Sequence, residues 1–443
     1  MSRRSLWVLF AVITLSLLCY GRATRNPYGR WLGQAMDAIE NDYIEAVDSE
    51  KLFEGAMRGM VGRLDDYSSF LPRTLKTYFD EALEQKYGGI GIEVALERER
   101  LLVLGARVGG PAYKAGVQAG DVIVGIGNVD TEKFAIDAAQ RLLRGTPGTE
   151  VTLRVRRAGH EMPLEFRITR ALIKVESVLG DTRNEDGTWD FLLPGEPGIG
   201  YLRITSFGDL TFEEFCSAIE WLRARKCRGV IIDLRNNPGG LLDQAEELCN
   251  AFLPANAVIV TTRGRDARVR KESLATGNGP YQDLPMVLLV NGQSASASEI
   301  VAACLQDHQR AKVVGQRTFG KGTVQNLIPI EAGQSSLKLT IATYWRPSEK
   351  NIHRMTTSKD HDEWGVRPDP GCEVPLDEQQ ITTWLEARRK RDGRMLPKEA
   401  EAAPTSPASE YASPLEFDAQ LRRAVEVLKE ELDQQAAPKK AAA

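Results

Sequence analysis

The chain has 443 residues, 42 % of them hydrophobic and 27 % charged, with a formal net charge of -4. That balance supplies enough apolar side chain for about two to four folded domains and excludes wholesale disorder. It gives no reason to expect nucleic acid as a partner, because basic residues are scattered apart from Arg388–Arg391, which reads as a solvated helix face.

The chain opens on Arg3 and Arg4, followed by an uncharged apolar run from Leu6 to Tyr20. This is the layout of a signal sequence or membrane anchor over residues 1–24. The run is short for a span, which needs about 17 to 25 residues. Gly21 and Ala23 make a weak cleavage site, and bulky Leu18 before Cys19 makes a poor lipidation site. The rest of the chain is expected to be exported. Its cysteines are Cys216, Cys227, Cys249, Cys304 and Cys372, an odd number, so at least one thiol stays free or pairs between chains. No C-x-x-C occurs, which argues against zinc and redox motifs. Cys216, Cys249 and Cys304 fall in apolar helical patterns and are expected as buried thiols.

Residues 28–84 read as a helical region. Trp31, Ala35, Ala38 and Ile39 recur at helical spacing, as do Leu52, Ala56, Met57 and Met60. Leu64–Pro72 (LDDYSSFLP) reads as a turn into a helix over Arg73–Gln85. Residues 85–172 then form a compact strand-rich domain. Ile90, Ile92 and Val94 alternate after a Gly-rich start, and strands are predicted at 101–104, 121–126, 150–156 and 163–168. Short helices are predicted near 112–119 and 134–143.

Residues 173–375 alternate strand and helix, the grammar of an α/β sheet. Strands are predicted at 199–204, 229–234, 286–290, 312–314, 323–330 and 337–343, with helices at 211–225, 241–253 and 297–305. The run GVIIDL has the continuous apolar character of a strand buried on both faces. Residues 376–434 form a C-terminal helical region with a linker near 399–413, and 435–443 read as a disordered tail.

A hydrolase needs a nucleophile, a base and donors for the developing oxyanion. The chain holds four histidines, His160, His308, His353 and His361, none with an evident nucleophile motif beside it. His361-Asp362-Glu363 is read as loop polarity rather than a metal site. Gly292–Glu299 (GQSASASE) is more informative. It joins a buried strand to a helix, and a serine at a helix N-terminus stands where free N–H groups favour negative charge. The same residues also spell a capping box, Ser296-x-x-Glu299. Lys321 lies between two glycines in TFGKGTVQ, a frame that lets the backbone approach a pocket closely. A buried lysine serves as general base once its pKa falls from about 10.4 by roughly three units. Gln325 lies on the same strand face and can hold the lysine without adding charge. Arg235–Gly240 (RNNPGG) is either a plain strand–helix turn or a source of oxyanion donors.

Taken in chain order, RNNPGG, then SASASE, then FGKGTVQ, with Lys321 following Ser296 by 25 residues, these three segments resemble the C-terminal processing peptidases, or tail-specific proteases. The resemblance implies Ser296 as nucleophile, Lys321 as base and Gln325 as its orienting partner. It places the oxyanion hole at Ala297 with Gly239 or Gly240. It implies an α/β fold with a ClpP/crotonase-like peptidase core and an inserted, mainly β PDZ domain. LDDYSSFLP resembles the family's DPHSSYL segment, with Asp66-Tyr67 in place of Pro-His. Gly89, Ile90, Gly91 and Ile92 match a PDZ carboxylate-binding loop, beside which an extended substrate tail would add as a strand.

The expected function is a serine endopeptidase that recognises substrate C-termini and processes or degrades exported proteins. It needs no metal or cofactor. Expected partners are proteins or peptides with exposed C-termini, a second copy of the chain, an adaptor protein, and the membrane through the N-terminal segment. The expected location is a bacterial-type cell envelope, anchored facing the periplasm or released there. Two other readings stay open. One is an inactive exported PDZ scaffold, and the other is an HtrA-like protease with a histidine base.

Overall fold

A computed structural model describes residues 3–23, 26–97, 99–184, 187–392 and 413–436. The expected linker up to residue 412 and the tail from residue 437 lie outside the described residues. The chain divides into two compact units. One comprises the residues up to Lys76 with Gln325–Thr340, and the other comprises Thr77–Val324 with the residues from Ile341.

The first unit is helical at its start. The N-terminal apolar run lies in the helix Arg3–Ala23. Among the described residues no helix is long and apolar enough to cross a membrane. Asn26 caps the helix Pro27–Asp42, and Asp48 caps Ser49–Val61 by accepting from the Glu50 and Lys51 N–H groups. The LDDYSSFLP segment holds a short strand, Ser69–Leu71, where the sequence suggested only a turn. That strand pairs antiparallel with Ser336–Lys338.

The second unit is built on a five-stranded sheet. In spatial order its strands are Val178–Leu179, Ile199–Ile204, Gly229–Asp233, Met286–Val290 and Lys312–Gly315. The last four run parallel, and the short edge strand runs antiparallel. Side chains alternate between faces, so each strand feeds two cores. Leu202, Val230, Ile232, Leu288 and Val290 pack with the helices Thr211–Ala224, Leu242–Asn250 and Ala297–Asp307. Tyr201, Ile231, Val287 and Leu289 pack with Leu421, Ala424, Val425 and Leu428 of the helix Ala419–Ala436. Burial on both faces is the physical reason that GVIID reads as one unbroken apolar run.

Sequence reading missed the hairpin Val258–Arg263 and Val269–Leu274. It also misread the basic run near the C-terminus. Arg388 is buried, not solvated: its guanidinium pairs with Asp181 at 2.7 Å and with Asp392 at 3.1 Å. Arg391 pairs with the same Asp181. Cys216, Cys227, Cys249, Cys304 and Cys372 carry free thiols; Cys249 and Cys304 are buried as expected, whereas Cys216 is half-buried.

The inserted strand-rich domain has its own core, including Leu101, Val103, Ile123, Leu153, Val155 and Ala139. Its sheet runs Ile92–Glu97, Arg100–Ala106, Val122–Ile126, Glu150–Arg156 and Leu164–Thr169, all antiparallel. The chain enters through Lys86–Gly89 and leaves through Ala171–Lys174, and these two strands pair with each other.

Candidate active site

Three turns at the C-terminal ends of the parallel strands converge within the second unit. The strand Met286–Val290 leads through Asn291–Ser296 into the helix Ala297–Asp307. Ser296 sits at the N-cap with φ 56° and ψ -115°, a backbone conformation that a residue with a Cβ rarely adopts. The turn is held from several sides. Ser294 Oγ donates to the Leu234 carbonyl at 2.8 Å, and the Ala295 N–H donates to the Asn237 carbonyl at 3.0 Å.

Asn237 organises the RNNPGG turn beside it. It is fully buried; its Nδ2 donates to the Ile204 carbonyl and its Oδ1 accepts from the Gly239 N–H, both at 2.8 Å. Gly239 has φ 98°, and a Cβ there would lie 2.8 Å from Ser296 Cβ and 3.0 Å from the Ala297 nitrogen. The two loops are therefore in direct backbone contact. The neighbouring Gly240 forms a parallel bridge with Phe207 that uses the Gly239 carbonyl and the Leu241 N–H. In such a bridge the Gly240 N–H faces away from the Phe207 strand. The Ala297 N–H stands in the first helical turn, which has no intrahelical acceptors.

The third turn carries Lys321. The Phe319 N–H donates to the Ser294 carbonyl at 3.0 Å, tying it to the serine turn. The segment Asn351–Arg354 runs against the other side. A Cβ on Gly322 would meet the His353 nitrogen at 2.2 Å, so the second flanking glycine is required by close approach.

Glu299 joins these parts. The sequence marked it only as a capping residue, and its carboxylate does accept from the N-cap Ser296 N–H. It is also 0 % exposed and accepts four hydrogen bonds. Oε1 accepts from Thr318 Oγ1 at 2.6 Å and from the Gly320 N–H at 2.7 Å. Oε2 accepts from the Ser296 N–H at 2.9 Å and from the Lys321 N–H at 2.8 Å. Burial pushes its carboxyl up to about 7, against the pull of these four donors. An SxxE pattern gave the helix-capping half of this arrangement. Nothing in the sequence gave the contacts to Thr318–Lys321.

Beneath the RNNPGG turn lies a buried ionic cluster. Arg235 pairs with Asp233 at 2.6 Å and with Asp418 at 2.7 Å, and Tyr201 Oη donates to Asp233 at 2.6 Å. Burial alone would raise the Asp233 carboxyl; the adjacent guanidinium holds it below the usual range.

Ser296, Ala297, Gly239, Gly240 and Lys321 are thus gathered in one unit. Gln325 belongs to the other, where its Nε2 donates to Thr340 Oγ1 at 3.3 Å. In the inserted domain, Ile90 is buried and Gly91 has φ 74°. The Ile90 and Gly91 carbonyls accept from the Ala112 and Arg107 N–H groups. Ile92 begins the sheet's edge strand, packed beside the helix Ile136–Leu143. An edge strand offers unpaired backbone groups to an incoming chain.

Comparison with known proteins agrees with this architecture. The model of peptidase family S41 matches residues 198–369, a PDZ domain model matches 102–157, and the activating protease CtpB N-terminal domain matches 28–74. The carboxy-terminal-processing protease of Bartonella bacilliformis is 34 % identical over 380 residues, covering 84 % of this chain and 82 % of that one. The carboxy-terminal processing protease CtpB of Bacillus subtilis is 33 % identical over 323 residues, covering 72 % of this chain and 65 % of its own. Among solved structures, the photosystem II D1 C-terminal processing protease aligns at 26 % identity and TM-score 0.43, covering 82 % of this chain and 96 % of that one. With a relative above 30 % identity covered over most of its length, this chain belongs to peptidase family S41, as a serine-type carboxy-terminal processing protease with a PDZ domain.

Proposed function

We propose that the protein cleaves polypeptides through a Ser296–Lys321 centre after the PDZ domain has taken hold of the substrate's C-terminal end. The observation that carries this reading is the single Glu299 oxygen shared by the backbones of Ser296 and Lys321. It supports an arrangement in which the two residues act together.

In this mechanism neutral Lys321 Nζ takes the proton from Ser296 Oγ, and Oγ attacks the scissile carbonyl carbon. The Ala297 N–H and a glycine N–H receive the negative charge on the carbonyl oxygen. Of the two candidate glycines, Gly240 is the better supported, since the Gly239 N–H already donates to Asn237. The tetrahedral intermediate collapses, the amine leaves with the proton from Lys321, and an acyl-enzyme remains. Water, losing a proton to Lys321, then hydrolyses the ester. Gln325 would orient the lysine, as the family resemblance implies. Gly89–Ile92 would receive the tail carboxylate while the tail adds beside Ile92–Glu97. The paired N-terminal arginines and the apolar run that follows them support export to a cell envelope, with exported proteins as substrates.

The test compares wild type, Ser296→Ala and Lys321→Ala on an unfolded protein and on a tail peptide. Both variants are expected to lose cleavage. Equal cleavage by wild type and Ser296→Ala sinks the proposal. Retained activity in Lys321→Ala with loss in a histidine variant would favour a histidine base instead.

A further inference from the structure

A capping box explains one of the four hydrogen bonds that Glu299 accepts, the one from the Ser296 N–H. Such caps ordinarily sit at an exposed helix end, where an ionised carboxylate costs little. Glu299 is wholly buried, and burying a carboxylate is expensive unless its oxygens are satisfied. The satisfaction comes from another segment. Thr318, Gly320 and Lys321 supply three donors at 2.6 to 2.8 Å. Gly365 closes over the group: a Cβ there would lie 2.8 Å from Thr318 Oγ1 and 3.4 Å from Glu299 Oε1.

The distribution of donors matters. Each oxygen takes two, and Oε2 takes one from each of the two residues proposed to do chemistry. An amide cannot replace this, because one of its two heavy atoms is itself a donor. The two backbones are set about two hydrogen-bond lengths apart through a single atom. The serine side is held further by its strained turn, so the carboxylate fixes the lysine against an already rigid partner.

We infer that Glu299 is a positioning residue for the peptidase reaction: its carboxylate clamps the Lys321 turn to the Ser296 turn and sets the approach of base to nucleophile. It touches neither substrate nor the transferred proton. The inference rests on the Ser296–Lys321 reading for its consequence, whereas the clamp itself is independent of that reading.

The experiment uses the full chain and two readouts. Hydrogen exchange followed by mass spectrometry reports the amides of Ser296 and Lys321 without any catalysis. Steady-state cleavage of a tail peptide reports kcat and KM separately. In Glu299→Gln, exchange at both amides is expected to quicken by about tenfold or more. There kcat is expected to fall roughly a hundredfold while KM stays within about twofold, as misplacement of a reacting group predicts. Unchanged protection, or lost protection with kcat unchanged, overturns the inference. Should Glu299→Gln not fold, Thr318→Val removes one donor and Thr318→Ser keeps it. A kcat reduced about tenfold in the valine variant and restored in the serine variant supports the clamp; equal kcat in all three overturns it. Ser296→Ala is run alongside. If it cleaves like wild type, the nucleophile assignment fails, and the exchange result still decides the clamp.

Discussion

The backbone N–H groups of Ser296 and Lys321 donate to one and the same atom, Glu299 Oε2, at 2.9 and 2.8 Å. Residues far apart in the sequence are thereby given a common reference point, and the position of either is read from the other.

The Glu299 carboxyl links stability to pH. Its ordinary pKa of 4.5 is raised by burial to about 7 in the folded protein. A raised carboxyl favours folding while it is protonated in both states. That advantage is lost as pH rises from about 4.5 through about 7, where the unfolded chain ionises first. The loss is on the order of 3 kcal/mol. Glutamine has no such titration. The unfolding free energy of wild type minus that of Glu299→Gln is therefore expected to fall between pH 4 and pH 8. Urea unfolding at a series of pH values checks this, and a flat difference would contradict the raised pKa.

Gly239→Ala is expected to damage the site more than the fold. Its Cβ would lie 2.8 Å from Ser296 Cβ and from the Ala295 carbonyl oxygen, at a φ of 98° that disfavours alanine. The serine turn must shift to make room. A fall in kcat of about 10²-fold is expected from such a displacement. Cleavage kinetics and a thermal melt on the same preparation separate the two effects.

Arg235→Ala should be among the most destabilising substitutions. It leaves Asp233 and Asp418 buried without their cation, at sites now 2.6 and 2.7 Å from the guanidinium. Breaking one partner of a buried pair costs roughly 3–5 kcal/mol. The expected outcome is a large drop in the denaturation midpoint; a change below about 1 kcal/mol would show the cluster to be dispensable.

If Gly89–Ile92 receive a chain terminus, amidation of a tail peptide should weaken its binding to the full-length Ser296→Ala protein by about tenfold or more, as loss of a charged hydrogen-bond acceptor implies. Calorimetry with the free-acid and amidated peptides decides the matter. Equal affinities would mean that the loop does not read the carboxylate.

Much of the architecture was visible in the residues themselves. Strands 150–156, 199–204, 286–290 and 323–330 have the bounds that the sequence suggested; 199–204 and 286–290 are buried on both faces and read as continuous runs, whereas 150–156 alternates buried and open positions. The hairpin 258–274 was not legible. Its second strand, VRKESL, is largely exposed, and its first carries buried Thr261 and Thr262, so neither shows alternation. Arg388 was misread because its anion, Asp181, lies 207 residues away. The glycine choice in RNNPGG depended on a side chain, Asn237 Oδ1, whose aim no spacing rule predicts. Glu299 was half legible: local periodicity gave the cap, while its three other donors come from a turn about twenty residues on.

Asp418, the second anion of Arg235, is translated long after Ser296 and Lys321, in the segment that leads into the helix covering the sheet's far face. A chain shortened before this segment still contains Ser296 and Lys321 but lacks one of the two anions that hold Arg235 beneath the RNNPGG turn. Chains ending before Pro414 are expected to be inert and readily digested, which limited proteolysis of truncated products would show. The site's underpinning is therefore complete only when the last helix is in place.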